Sequence, residues 1–112
     1  MPTRRWTHLV SHLHHRMVNT ETQSLLSELA ARLDATAERP MRPEVTHWVA
    51  EADAVASDVA DADADLPVDV VRTRVGHVRE LLSHVEETGD EEADEHVTAA
   101  KTLADEVLDR LD

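Results

Sequence analysis

The residues of this 112-residue chain that could do chemistry are its histidines and carboxylates. Glu44 and His47 stand one helical turn apart, so a carboxylate and an imidazole would share one side of a helix. Neutral imidazole and carboxylate together suit Fe, Zn or Mn. His77 and His84 share a side of a later helix, and His96 follows further on. A metal-binding bundle drawing on Glu44, His47, His77, His84 and His96 is therefore one expectation. His8, His12 and His15 would also share a face if that stretch were helical, but no carboxylate lies near them to complete a site. Asp61, Asp63 and Asp65 begin like a calcium loop. Its sixth position is Leu66 where glycine is needed, and its twelfth is Arg72 where glutamate is needed. A solvated connection is expected there.

Two of these patterns resemble known families. Glu44-x-x-His47 resembles the motif of carboxylate-bridged di-iron bundles, which implies two such motifs and two further glutamates pointing inward. Glu44 and His47 fall on the outer side of their helix, and the motif has no second copy. Glu92-x-x-Glu95 and Glu106-x-x-Asp109 resemble the acidic pairs of all-helical nucleotide pyrophosphohydrolases. That resemblance implies a magnesium ion between two facing helices, whereas both pairs here lie on one helix. A solvated acidic face is the expectation for them. No Ser/His/Asp order, glycine-rich phosphate loop or nucleophile elbow occurs. The expectation is a non-enzymatic protein without a cofactor.

The elements that would carry these residues are four amphipathic helices. Val68, Val71, Val75, Val78, Leu82 and Val85 recur at steps of three and four, which sets them on one narrow stripe. That helix is expected from Pro67 to about Thr88, with Gly89 just past its end. Gly76 falls off its stripe, at a tolerant site. Ala93, Val97, Ala100, Ala104, Val107 and Leu111 form a second stripe, opened by Asp90 as N-cap. Upstream, Thr20 and Gln23 have capping-box spacing before a helix whose stripe is Leu26, Leu29, Ala30, Leu33 and Ala37. Pro40 and Pro43 interrupt, and Pro43 opens a helix with Val45, Val49, Ala52, Ala56 and Val59 inward. The predicted fold is all-α, an antiparallel up-down-up-down four-helix bundle over residues 19–112. Residues 1–18 form a basic, His-rich N-terminal extension.

Two hairpins related by duplication are one reading of the pattern. Leu26 to Leu33 lays over Val78 to Val85, with Thr36 on Thr88, and Ala52 to Asp58 lays over Ala100 to Glu106 once the connecting loop is shortened. The other reading is that any two amphipathic helices match this well.

Composition narrows the setting. Asp and Glu number 24 against 11 Lys and Arg, a net charge of -13, and Lys101 is the single lysine. Ile, Phe, Tyr and Cys are absent. Excess carboxylate with little lysine resembles, in composition, proteins of halophilic archaea. Such a surface stays hydrated in molar salt, where its self-repulsion is screened. An acidic protein from a GC-rich bacterium is the alternative. Phosphate backbones and anionic membranes repel this charge, so neither nucleic acid nor membrane is an expected partner. No apolar run approaches a bilayer span, and residues 1–16 lack the apolar core of a signal peptide, so the cytoplasm is the expected location.

Residues 1–16 stand apart: Arg4, Arg5 and Arg16, four histidines and no acid. A start at Met17, a basic arm and a metal site are the readings open there. For the whole chain, an interaction or adaptor module is the leading expectation, with a protein partner or a second copy of itself. Trp48, Leu81, Leu103 and Leu108 lie wide of the seams and are its candidate contact residues. The alternatives are the metal-binding bundle and an acidic decoy or antitoxin-like partner that covers a basic protein.

Overall fold

The computed structural model describes residues 18–62 and 65–111. Residues 1–17, with the basic arm, His8, His12 and His15, lie outside the described residues, as does Asp63. Four helices make up the described chain: α1 (Thr20–Asp34), α2 (Pro43–Ala62), α3 (Val68–Leu82) and α4 (Glu91–Leu111).

The α2, α3 and α4 stripes read from the sequence face the interior, as do Leu26, Leu29 and Leu33 of α1, with Ala30 half-buried. The five α2 seam residues, from Val45 to Val59, are all buried, as are the six of α4, from Ala93 to Leu111. Burying one Leu or Val side chain is worth about 1.5–3 kcal/mol, so these stripes dominate the folding energy. Ala52, Ala56, Ala100 and Ala104 are at most 2% exposed, which lets neighbouring helices approach closely. Gly76 has open space where a Cβ would stand, as its place off the seam implies.

α1 packs on α2 and α4, and α3 packs on the same two, so α1 and α3 are diagonal. Side-chain contacts run in reverse order between α4 and each of its two neighbours. Glu21 meets Arg110 at 2.7 Å and Arg32 meets His96 at 3.3 Å, the start of α1 against the end of α4 and the reverse. Arg72 donates to the Leu111 carbonyl at 2.6 Å, and Arg79 meets Asp105 at 2.6 Å. These contacts set α4 in the opposite sense to α1 and to α3.

Helix ends differ from expectation in three places. The α1 cap is Asn19, whose Oδ1 accepts from the Thr22 N–H at 2.8 Å, so Thr20 is already inside the helix. Gln23 instead donates its side-chain amide to the Val18 carbonyl at 3.2 Å. α1 stops at Asp34, so Ala37 is exposed in the following turn and Thr36 takes the buried place. α3 stops at Leu82, well before Thr88. Its last turn is closed by the Ser83 N–H on the Arg79 and Glu80 carbonyls and by the Ser83 hydroxyl on Glu80. Val85 and Thr88 remain fully buried although they belong to the connection. Gly89 sits in that connection at φ +91°, a conformation glycine adopts without strain. At α4 the expected cap holds: Asp90 Oδ2 accepts from the Ala93 N–H at 2.9 Å.

The two hairpins share a layout. Their helices begin at equal separations, Thr20 with Val68 and Pro43 with Glu91, and residues 35–42 and 83–90 are connections of equal length. In burial, α2 matches α4 at that separation, Val45 with Ala93 and Val59 with Val107, whereas α1 matches α3 one residue further on, Leu26 with Val75 and Leu33 with Leu82. Thr36 follows α1 almost directly while Thr88 lies near the far end of its connection, so those two threonines do not occupy equivalent places.

Candidate functional site

α2 and α3 are neighbours, and Trp48 near the start of α2 meets His84 just past the end of α3. Trp48 lies just outside the α2 seam, half-buried on the edge facing α3. Because α3 ends at Leu82, His84 falls in the turn behind it, with its N–H on the Leu81 carbonyl at 3.2 Å. That turn lays the His84 ring flat on the Trp48 indole, with centroids 4.0 Å apart and planes 13° apart. The His47 ring centroid lies 4.7 Å from the indole, with the planes tilted by 55°. Both imidazoles are exposed. The result is a surface cluster of three rings, two of them able to donate and accept hydrogen bonds, on an apolar footing.

The connections beside this cluster are sewn together. Arg39 makes a two-point pair with Asp90, Nε to Oδ2 at 2.9 Å and Nη2 to Oδ1 at 3.1 Å. Arg42 donates its backbone N–H to the Thr88 carbonyl at 2.6 Å, and its guanidinium reaches Glu87 at 3.7 Å. Thr88 is wholly buried. Its N–H donates to Asp94 Oδ1 at 2.7 Å, and its hydroxyl lies 2.8 Å from the same oxygen and 2.9 Å from the Asp90 carbonyl. The hydroxyl also accepts from the Asp90 N–H at 3.1 Å. These donors set the local charge. The Arg39 guanidinium, then the Ala93 N–H, hold the Asp90 carboxyl below its usual range. The Thr88 N–H and hydroxyl do the same for Asp94.

The other predicted site residues are dispersed. Glu44 is exposed in the first turn of α2, where it complements the helix dipole. His77 is exposed on α3. His96 lies between α1 and α4, near Arg32 and 3.8 Å from Glu92. Among the described residues no three His, Cys, Asp or Glu side chains gather around a point where one metal ion could sit. Of the five metal candidates, the structure joins only His47 and His84, through Trp48. Glu92, Glu95, Glu106 and Asp109 are exposed, with Glu92 near Arg39 and Glu106 near Arg110.

The contact candidates also separate. Leu81 is 5% exposed and Leu103 8%, so both spend their apolar area inside the bundle and cannot form an open surface. They sit wide of their seams because each faces a neighbouring helix. Leu108 is half-buried in a shallow cleft of about 470 Å³ with Arg72, Arg79, Asp105 and Asp109, whose walls are charged. Trp48 alone of the four belongs to a ring cluster. Sequence reasoning noted Trp48 and His84 separately and missed their stacking. The signal was available, since each flanks a seam at the end where α2 and α3 must meet. It also missed the Thr88–Asp94 clasp.

A family model described as a domain of unknown function (DUF8152) matches residues 25–112. The chain belongs to the DUF8152 family. No curated protein and no solved structure matches it. The DUF8152 match takes in α2, α3, α4 and all but the first turn of α1, and so includes the ring cluster and both sewn connections. Among the described residues, no helix of this DUF8152 protein is long and apolar enough to cross a membrane.

Proposed function

We propose that the protein is a non-enzymatic interaction module that meets another protein through the ring cluster of Trp48, His84 and His47. The observation that carries this reading is the stack itself. A half-buried indole is held flat against an exposed imidazole, so little side-chain freedom remains to be lost on binding. Aromatic side chains of this kind anchor interfaces. The acidic surface supports work in a salt-rich cytoplasm, where screening silences charge repulsion and leaves apolar contact as the means of recognition.

The test is capture by the full chain from its native host in molar KCl, with retained proteins identified by mass spectrometry and bound again in purified form. Trp48→Ala and His84→Ala are compared, with circular dichroism as the check on folding. Each is expected to weaken binding at least about tenfold. Undiminished binding by both folded variants would refute the reading.

A further inference from the structure

The ring cluster continues into a longer face, and that face has a charge pattern. On α2, Trp48 and Val55 are both half-buried on the α3 side. Glu44, Glu51 and Asp58 are exposed and stand three or four residues from these two, so an acidic ridge borders the apolar stripe. The opposite rim, on α3, carries exposed Arg74 and His77.

Residues 1–17 have the complementary pattern in sequence. Trp6, Leu9, Val10, Leu13 and Met17 recur at the spacing of one helical stripe. Arg5, His12 and Arg16 fall together on one flank of that stripe, and Thr3, Thr7 and His14 on the other. An apolar stripe with one basic and one arginine-free flank suits an apolar face with one acidic and one basic rim. Such pairing is the helix-in-groove mode of recognition.

We propose that this face receives residues 1–17 of a second copy of the chain, so that two copies exchange arms. The inference rests on the interaction reading above and names its partner. Exchange between copies is preferred over docking within one copy on connectivity. The arm joins the bundle at Val18, beside the end where Glu21 meets Arg110, whereas Trp48 and His84 mark the opposite end. α1 packs on α2 and α4 and is diagonal to α3, so an arm docking on the α2–α3 face of its own copy must first pass around α2 or α4. Mutual exchange gives a closed twofold dimer in which each copy offers one arm and one face.

The experiment measures the mass of the full chain by light scattering over a dilution series in 0.15 M-range and molar KCl. Three variants are compared with the wild type: Arg5→Glu with Arg16→Glu, Glu51→Arg with Asp58→Arg, and all four together. The wild type is expected to be a dimer, each pair of reversals to weaken it at least about tenfold at the lower salt, and the combination to recover it. All four positions are at the surface or outside the described residues, and Glu51→Gln with Asp58→Asn is the milder pair should a reversal fail to fold. A dimer indifferent to the reversals, or one not recovered by the combination, overturns the exchange. A monomeric wild type that still needs Trp48 to hold a different protein overturns the exchange and leaves the interaction reading standing. Loss of the Trp48 dependence itself overturns both.

Discussion

Thr88→Val tests whether the connections are held by the buried hydroxyl or only by the packing around it. Valine has nearly the shape of threonine, so the substitution removes hydrogen bonds and leaves volume unchanged. Thr88 has no exposed surface. Losing its hydroxyl takes the acceptor from the Asp90 N–H and one donor from Asp94. A buried polar group left without its partner costs about 1–3 kcal/mol. Asp94 keeps the Thr88 N–H at 2.7 Å, which places the expected loss in the lower part, about 1–2 kcal/mol. For a domain of this size that lowers Tm by about 4–8 °C per kcal/mol. The assay is thermal and urea unfolding by circular dichroism at fixed KCl, with the urea slope unchanged. Thr36→Val is the control. Thr36 is equally buried, but its hydroxyl only adds a second donor to the Leu33 carbonyl at 2.6 Å, beside the Thr36 N–H at 3.1 Å. A Thr88→Val protein as stable as wild type, or no less stable than Thr36→Val, would refute the reasoning.

Asn19→Ala should cost about 1 kcal/mol as the loss of a helix cap, with Thr20→Ala near neutral; equal losses in unfolding experiments would return the cap to Thr20. The lowered Asp90 and Asp94 carboxyls make the unfolded chain bind protons first as pH falls. The stability they add is complete above about pH 5 and is lost as pH drops through their unfolded and then their folded values, so Asp94→Asn should flatten the acid limb of a urea-midpoint titration. Asp53 has the opposite sign: burial first, then the nearby Asp34 charge, raise its carboxyl, against a lowering by the Ser57 hydroxyl. Its charge therefore opposes folding at neutral pH, and Asp53→Asn should stabilise the fold near pH 7, by no more than about 1 kcal/mol after solvent screening, with the gain in Tm disappearing in acid.

The helix stripes were legible because burial of one face fixes the period, and every α2, α3 and α4 seam residue named from sequence is buried. The helix ends were not. Val85 and Thr88 continue the inward spacing past the end of α3, because turns closed by the Val85 N–H on Leu82 and the His84 N–H on Leu81 keep a step of three. Period alone cannot tell such turns from helix. The same holds for Thr36, whose N–H closes on Leu33. Leu81 and Leu103 read as spare apolar surface because a single sequence does not reveal how much of each flank a neighbour covers. The ring cluster needed two facts joined: which helices are adjacent, and that α3 ends early enough to turn His84 onto Trp48.

The Glu21–Arg110 contact sets the first turn of α1 beside the last turn of α4. The bundle thus has an entrance face, where chain comes in and goes out, and a far face closed by its two sewn connections. A fused protein attached at either end of the bundle is held on the entrance side, away from the rings of its own copy. The same proximity allows the whole unit to be spliced into a surface loop of another protein without stretching its ends apart. In such a chimera the module would stand out from its host with Trp48 and His84 at the tip.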